Sequence, residues 1–454
     1  MVRGFWRHLR PSVPHAGIAA DYAVRMDATS IWRNRDFVRL WAASTVSVFG
    51  SLITRTALPF AAILVLGAGP LEIAAIRSFE IVGGVVVSLA AGAWVDRLKR
   101  RPVMIVADLG RALLLASIPA AALADALSIL HIIVVAFLTA VLSTFHNVAD
   151  NAFLPTVVER DQLIASNAAL TASGSAAEFS AFGIGGFLVQ LLTAPIAIAV
   201  DAVSFLVSAV LLGSIRRPEP DRPGVTERRP IVAEIRDGLR PIARSPILRA
   251  IAGASSASHF LWGAFGSVYL VFTTEELGLG PATIGVIAAV GGASSFIGAV
   301  LAGRVNRRIG IGPAIMLGVV GYTLGNALTP LAPVGAVAVA VALLVAQQLI
   351  SDGAATIQEI NEISLVQTVV PDRVLGRVNG SMEFLTHLWL LVGTIAGGLI
   401  GEAVGLRAAM LVGVLGGVAA IVFLWFSPIR SLRAGAVVPP QHALMPGDDT
   451  PLGE

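Results

Sequence analysis

Apolar residues in this chain neither alternate nor recur at amphipathic spacing. They run in blocks of roughly 18 to 28 residues separated by short polar turns, and a helix needs about 20 such residues to cross a hydrocarbon core of about 30 Å. The alternating ten-residue segments of an outer-membrane barrel are not seen. The pattern predicts spans at 37–66, 71–95, 103–124, 129–154, 162–191 and 196–214, then at 248–273, 282–303, 312–330, 335–362, 374–401 and 407–428.

Polar turns supply the second layer of pattern. The turn Gly92-Ala-Trp-Val-Asp96-Arg97-Leu-Lys99-Arg100-Arg101 returns as Ala299-Val-Leu-Ala-Gly303-Arg304-Val-Asn-Arg307-Arg308, with Gly303 in place of Asp96. Thr156-Val157-Val158 returns as Thr368-Val369-Val370, Asn167 as Asn379, and Gly185-Gly186 as Gly397-Gly398. Such self-similarity marks a duplicated unit. The expected fold is an all-α integral membrane protein, twelve transmembrane helices in two pseudo-symmetric six-helix bundles. Its parts are an N-terminal tail (1–36), a first bundle (37–214), a linker (215–247), a second bundle (248–430) and a disordered tail (431–454). Within the linker Ile231, Ile235, Leu239 and Ile242 fall at helical spacing and predict a short surface helix. Residues 1 to 36 carry no apolar core, so they read as neither signal peptide nor span, and Met26 is an alternative start.

Charge orients this arrangement. Loops facing one side hold Arg97 to Arg101, Arg160, Arg216 to Arg249, Arg304 to Arg308, Arg373, Arg377, Arg430 and Arg433, whereas the other side holds Glu72, Asp125, Glu275, Glu276 and Glu402 with Arg407. That bias predicts both termini on the cytoplasmic side of a bacterial cell membrane. At 56% hydrophobic and 13% charged, with mean hydropathy +0.81, the composition agrees with a membrane class. The net charge of +3 is topological and implies no nucleic-acid partner. Absence of cysteine excludes disulfides and thiol chemistry. The only lysine is Lys99, in the turn, and no Walker-type phosphate loop exists, so neither ATP hydrolysis nor any other enzyme activity is expected.

Taken in order, several segments carry a resemblance. They are Phe37-Val-Arg-Leu-Trp41, Phe145 through Ala152-Phe-Leu-Pro155, Asn167-Ala168, Asp201-Ala-Val-Ser-Phe205, Glu234 through Gly238-Leu-Arg240, Pro246-Ile-Leu-Arg249, and the Gly-x-x-x-Asp-Arg-x-x-Arg-Arg turn from Gly92. From Trp32 to Arg430 the chain resembles the major facilitator superfamily of secondary transporters, and within it the exporters of drugs, macrolides and siderophores. The helix 5 segment Ala181-Phe-Gly-Ile-Gly-Gly186 lacks the proline that antiporters of that superfamily often carry. The resemblance implies alternating access between two bundles and a conformational gate at Gly92, Asp96, Arg97, Arg100, Arg101 and Arg304. Asp96 would latch the cytoplasmic side by accepting hydrogen bonds at a helix start near Gly380; the alternative is that it only neutralises a basic turn.

Polar residues inside apolar spans are the other candidates; ionisable ones cost about 2.5–3.5 kcal/mol each on insertion scales and so need partners or a water-filled cavity. Glu178 in helix 5, with Arg55 of helix 1 as partner, suits proton coupling or cation binding, or else a static pair. His146, Asn147 and Asp150 of helix 4 form a polar patch whose repeat counterparts are Gln358, Glu359 and Glu362. They fit a proton relay or a helix-to-helix hydrogen bond. His259, Trp262, Gln347, Gln348, Asp352 and His387 could line a pocket for a bulky amphipathic solute, or pack. Arg77 with Glu80, and Asp108 with Arg111, stand at i and i+3 and read as structural pairs. Asp201 reads as a cap on helix 6, and Gly183, Gly185, Gly186, Gly393, Gly397 and Gly398 as sites of close helix approach and bending. No metal site and no cofactor are expected beyond a proton gradient. The expected partners are a small-molecule substrate and the lipid bilayer, with the protein a monomer. The expected activity is proton-coupled efflux of a lipophilic drug-like compound or a siderophore. An importer, an uncoupled facilitator or a transporter-like receptor or assembly protein are the alternatives.

Overall fold

Long apolar runs broken by Gly, Pro and Asn become twelve helices. The computed structural model describes residues 28–95, 98–219 and 239–433. The helices are α1 (Arg35–Leu66), α2 (Pro70–Val95), α3 (Arg100–Leu123), α4 (Ile129–Val157), α5 (Leu163–Leu192), α6 (Ala194–Ser214), α7 (Pro246–Val271), α8 (Pro281–Ile309), α9 (Ile311–Asn326), α10 (Val337–Val369), α11 (Asp372–Ala403) and α12 (Leu406–Trp425). Among the described residues nine are long and apolar enough to cross a membrane, or ten when the bent α5 is taken as one span. Local signals set the ends. Asn34 caps α1 by accepting from the Asp36 and Phe37 amides, Gly67 ends it in the left-handed conformation, and Ser128 and Ser245 cap α4 and α7.

Two groups of helices pack among themselves. In the first, α1 lies on α5 and α6, α3 on α4 and α6, and α2 on α4; in the second, α7 lies on α11 and α12, and α10 on α8 and α9. Between the groups the main contacts are α5 with α8 and α2 with α11, joined by α2 with α7. Apolar side chains fill the interior, with Phe60, Ile73, Leu115 and Phe205 fully buried beside Leu261, Phe272 and Leu344. Leucine, valine and phenylalanine also cover much of the outside, for example Leu113, Val210 and Phe296, as expected of a surface that meets lipid.

Several boundaries are sharper than the sequence predicted. The N-terminal tail ends in a short helix, Ala28–Arg33, which buries Ile31 and places Trp32 edge-on to Phe37 and Trp41. Of the linker helix, residues 239–244 are helical and Ile242 is buried beside Ile247 and Leu248. The rest of that helix, residues 1–27 with Met26, and residues 434–454 lie outside the described residues.

Candidate functional site

Among the described residues, the closest backbone approaches between the two groups of helices gather at one end. A Cβ on Gly186 of α5 would stand 2.5 Å from the Pro281 carbonyl and 2.9 Å from Gly285 Cα of α8, and one on Gly398 of α11 would stand 2.3 Å from Ala74 Cβ of α2. Glycine is what lets these backbones touch. Gly401 meets Pro70, Gly280 meets Gln190, and Gly69 meets Glu402 on the same face. This is the face away from the arginine-rich loops.

Toward the basic loops, α5 exposes a different set of residues. Ile164, Thr171, Ser175 and Glu178 of α5 recur at intervals of seven, four and three, and all are exposed. A separate exposed stripe on the same helix, Ile184, Phe187 and Leu191, is wholly apolar. Hydrocarbon suits the second stripe and not Thr171, Ser175 and Glu178, so the first stripe is better suited to a watery opening than to lipid. Just beyond Glu178, α5 bends by 50° before Gly183. The sequence placed Glu178 in the span interior with Arg55 as partner; instead its carboxylate is exposed and makes no ion pair among the described residues. Arg55 is exposed on α1, close enough to Arg77 for their charges to interact. Arg77 and Glu80 stand beyond ion-pair distance among the described residues, although their charges still interact, and the Arg77 side chain lies 3.8 Å from the Cβ position of Gly266 on α7. The i, i+3 spacing permits a pair, but the neighbouring glycine offers the long side chain a closer bed.

Behind that opening, the first half holds a charged core. Asp108 and Arg111 of α3, both buried, form an ion pair, and His146 Nδ1 of α4 stands 3.1 Å from the same Asp108 oxygen. Arg111 also donates to Ser143 Oγ at 3.4 Å and lies 4.0 Å over the Phe205 ring of α6. Asp150, one turn from His146, accepts from Ser44 of α1 at 3.4 Å. Asp201, 1% exposed, accepts from Ser204 at 2.8 Å and sits directly under Gly50. It is no cap on α6, which starts at Ala194; it is a carboxylate buried in the second turn. Three carboxylates, one guanidinium and one imidazole from α3, α4 and α6 thus lie together in the interior of the first half, Asp150 half-buried and the others buried. The sequence saw these residues as three separate features. Asn147, predicted beside them, is exposed.

Among the described residues the second half is polar and holds no buried ion pair; its Arg407 pairs with Glu276 at 3.2 Å near the surface. Gln347 Nε2 donates to Ser351 Oγ at 2.9 Å, and that hydroxyl to Asp352 Oδ1 at 3.0 Å. Gln348 and Asp352 crowd Gly291 of α8, where a Cβ would lie 2.6 and 2.2 Å from their polar atoms. Glu362 accepts from Ser255 of α7 at 2.8 Å and from Gln358 at 3.0 Å, a bridge the sequence did not single out. His259 bonds the Ser255 carbonyl, stacks obliquely on Trp262 at 6.3 Å, and lies near enough to His387 of α11 for their charges to interact. The predicted pocket residues therefore fall into two sets, one on α10 against α8 and one across α7, α10 and α11.

The predicted gate divides differently. Asp96 and Arg97 lie outside the described residues, and Gly92 lies in α2. Arg100 is buried and donates to the Ala152 carbonyl of α4, while Arg101 donates to the Leu212 and Gly213 carbonyls at the end of α6. These two arginines hold helix ends within one half, where unsatisfied carbonyls and the helix dipole favour a cation. Their repeat partners Arg307 and Arg308 are exposed, and Arg304 donates only to Val300 of its own helix. Glu219 of the linker accepts from the Arg100 amide at 2.8 Å and the Arg101 amide at 3.3 Å, so it caps α3, for which Lys99 provides no side-chain cap. Burial pushes the Glu219 carboxyl up from its ordinary value, against the lowering effect of the Arg101 amide and the Lys99 charge. Asp36 does the same for the linker start, accepting from the Arg216 and Arg217 amides at 3.2 and 3.1 Å.

Comparison with known proteins follows the same lines. The chain is 30% identical over 339 residues, 72% of its own length and 80% of the relative's, to the multidrug efflux pump Tap of Mycolicibacterium fortuitum. Its fold is similar to a bacterial homologue of the iron transporter ferroportin in an inward-facing state, with TM-score 0.70 and 20% identity over 86% of this chain and 98% of that one. Against the outward-facing state of a bacterial ferroportin homologue, with the same identity and coverage, the TM-score is 0.57. Residues 40–394 match the family model of the Major Facilitator Superfamily, and the chain belongs to that family of membrane transporters.

Proposed function

We propose that the protein is a proton-coupled exporter of lipophilic drug-like compounds or a siderophore, working by alternating access in the bacterial cytoplasmic membrane with both termini inside. The observation that carries this reading is the one-ended seam. Helix contacts between the halves gather where glycines line α5 and α11, and a polar stripe that hydrocarbon would not tolerate is exposed at the other end. Such an arrangement suits one of two states that differ in which seam is closed. The better match to an inward-facing than to an outward-facing fold supports the same assignment.

The charged core of the first half is the natural place for coupling. Adding or removing one proton changes the net charge of Asp108, Arg111, His146, Asp150 and Asp201 in a dry interior, where charge balance decides which packing is favoured. Exposed Glu178 at the head of the opening suits a cationic solute, and His259, Trp262 and the amides of α10 suit its aromatic and polar parts. Export, as opposed to import, is supported by the efflux activity named for the relative in Mycolicibacterium fortuitum.

The test is the accumulation of a drug and siderophore panel in cells with and without the protein, each with an uncoupler arm. Lower accumulation that disappears on uncoupling is expected. Lower accumulation that survives uncoupling removes the proton from the mechanism. No change for any compound would sink the exporter reading.

A further inference from the structure

At the membrane boundary of the first half lies a cleft of about 540 Å³ that the transport mechanism does not use. Lys99, Arg101, Arg216 and Arg217 surround it, against a single carboxylate, Glu219. That carboxylate is already engaged by the α3 amides, so the cleft keeps an excess of positive charge. Its floor is apolar, made by Pro102, Ile105, Val106 and Pro218. From Val106 an exposed stripe continues up α3 through Leu109 and Leu113, at intervals of three and four, with 65, 48 and 76% of each residue accessible.

We propose that this cleft binds the phosphodiester headgroup of an anionic phospholipid, with an acyl chain laid along Val106, Leu109 and Leu113. A free inorganic phosphate would satisfy the same cations. The apolar floor and the stripe that leads from it into the bilayer favour a lipid, because a soluble anion has no use for either. Basic pockets at helix ends facing an anionic leaflet are suited to such headgroups. The arginines are held in place independently of the ligand: Arg101 by the carbonyls of α6, and Arg217 by the Val157 carbonyl at 3.0 Å. Arg216 is exposed, with only its backbone amide engaged by Asp36 among the hydrogen bonds described. A lipid seated here would bridge the linker start, the beginning of α3 and the bilayer. The assignment requires only that the cleft lie at the hydrocarbon boundary, so it stands apart from the direction of transport and the coupling ion.

Native mass spectrometry of the full chain released from nanodiscs of equal phosphatidylglycerol and phosphatidylcholine content tests it. Wild type is expected to retain phosphatidylglycerol in preference. Arg216→Gln should reduce that preference by about fivefold, the effect of one cation close to an anionic surface. Arg307→Gln, which removes an exposed arginine from the matching loop of the other half, should leave it unchanged. Equal retention of the two lipids by wild type overturns the proposal, and so does an equal loss in both variants. Displacement of the lipid by inorganic phosphate at equal concentration would overturn it in favour of a free anion.

Discussion

Placing a methyl group on Gly186 tests whether the glycine seam governs which end is closed. In the closed seam that carbon would stand 2.5 Å from the Pro281 carbonyl oxygen and 2.9 Å from Gly285 Cα, well inside the optimal separation of about 3.5–4.0 Å for carbon atoms. Both obstructing atoms belong to the backbone of α8, so no side-chain rotation relieves the clash. Overpacking of this kind costs about 1–3 kcal/mol. Because the cost falls only on the state in which the seam is shut, Gly186→Ala should shift the ratio of open to closed by about 5 to 150-fold. The chain has no cysteine, so spin labels at Leu191→Cys and Val286→Cys, exposed positions flanking the contact, report the distance across it without background. Pulsed electron spin measurements should show the short-distance population falling in Gly186→Ala. Gly185→Ala is the internal control: its Cβ would meet Thr56 of α1 in the same half at 3.3 Å and should leave the interhelix distance alone. An unchanged distance distribution in Gly186→Ala, or an equal change in Gly185→Ala, would refute the reasoning.

Two further outcomes follow from the charged groups of the first half. Arg111→Ala leaves buried Asp108 with His146 but without its guanidinium and should lower stability by about 3 kcal/mol, read as a fall in thermal midpoint in detergent; Arg111→Lys should recover only part, since Arg111 bonds both Asp108 and Ser143 through its planar fork. Glu219→Ala removes the cap from α3, at a cost of about 1 kcal/mol. Because its carboxyl is raised in the folded state, the stabilising contribution linked to that shift is full below the ordinary carboxylate value and fades as pH rises through the raised one. Midpoints measured against pH should lose that slope in Glu219→Gln, and an identical slope in wild type and variant would refute it.

The sequence located the helices closely because hydrophobic run length and turn chemistry are local. Predicted spans 37–66, 129–154 and 374–401 became Arg35–Leu66, Ile129–Val157 and Asp372–Ala403. Partnerships were less legible. Asp108 and Arg111 could be paired from their spacing, yet nothing local brings Asp201 and His146 into the same interior. Arg77 was given to Glu80 by the same rule; their charges do interact, but the side chain also packs on α7, because the rule weighs neighbours along a helix and not across an interface. Glu219 as the cap of α3 acts across 119 residues, and Asp36 holds the linker across 180. Side chains that act over such separations leave no periodic trace. The exposure of Glu178 was not legible for a related reason: position along a span shows depth, whereas exposure depends on which helix face is covered.

Anchoring of the linker by Asp36 and Glu219 sets the length of the leash between the halves. Residues 216 to 219 are bonded to the first half and Ile242 packs within the second, so under the proposed alternating access the stretch from 220 to 238 spans the halves. Nineteen residues can reach at most about 60–70 Å, several times the 10–12 Å diameter of a helix. A rope that long cannot limit a rocking stroke. Under the proposed alternating access, the glycine surfaces rather than the length of the connecting segment would set how far the halves travel.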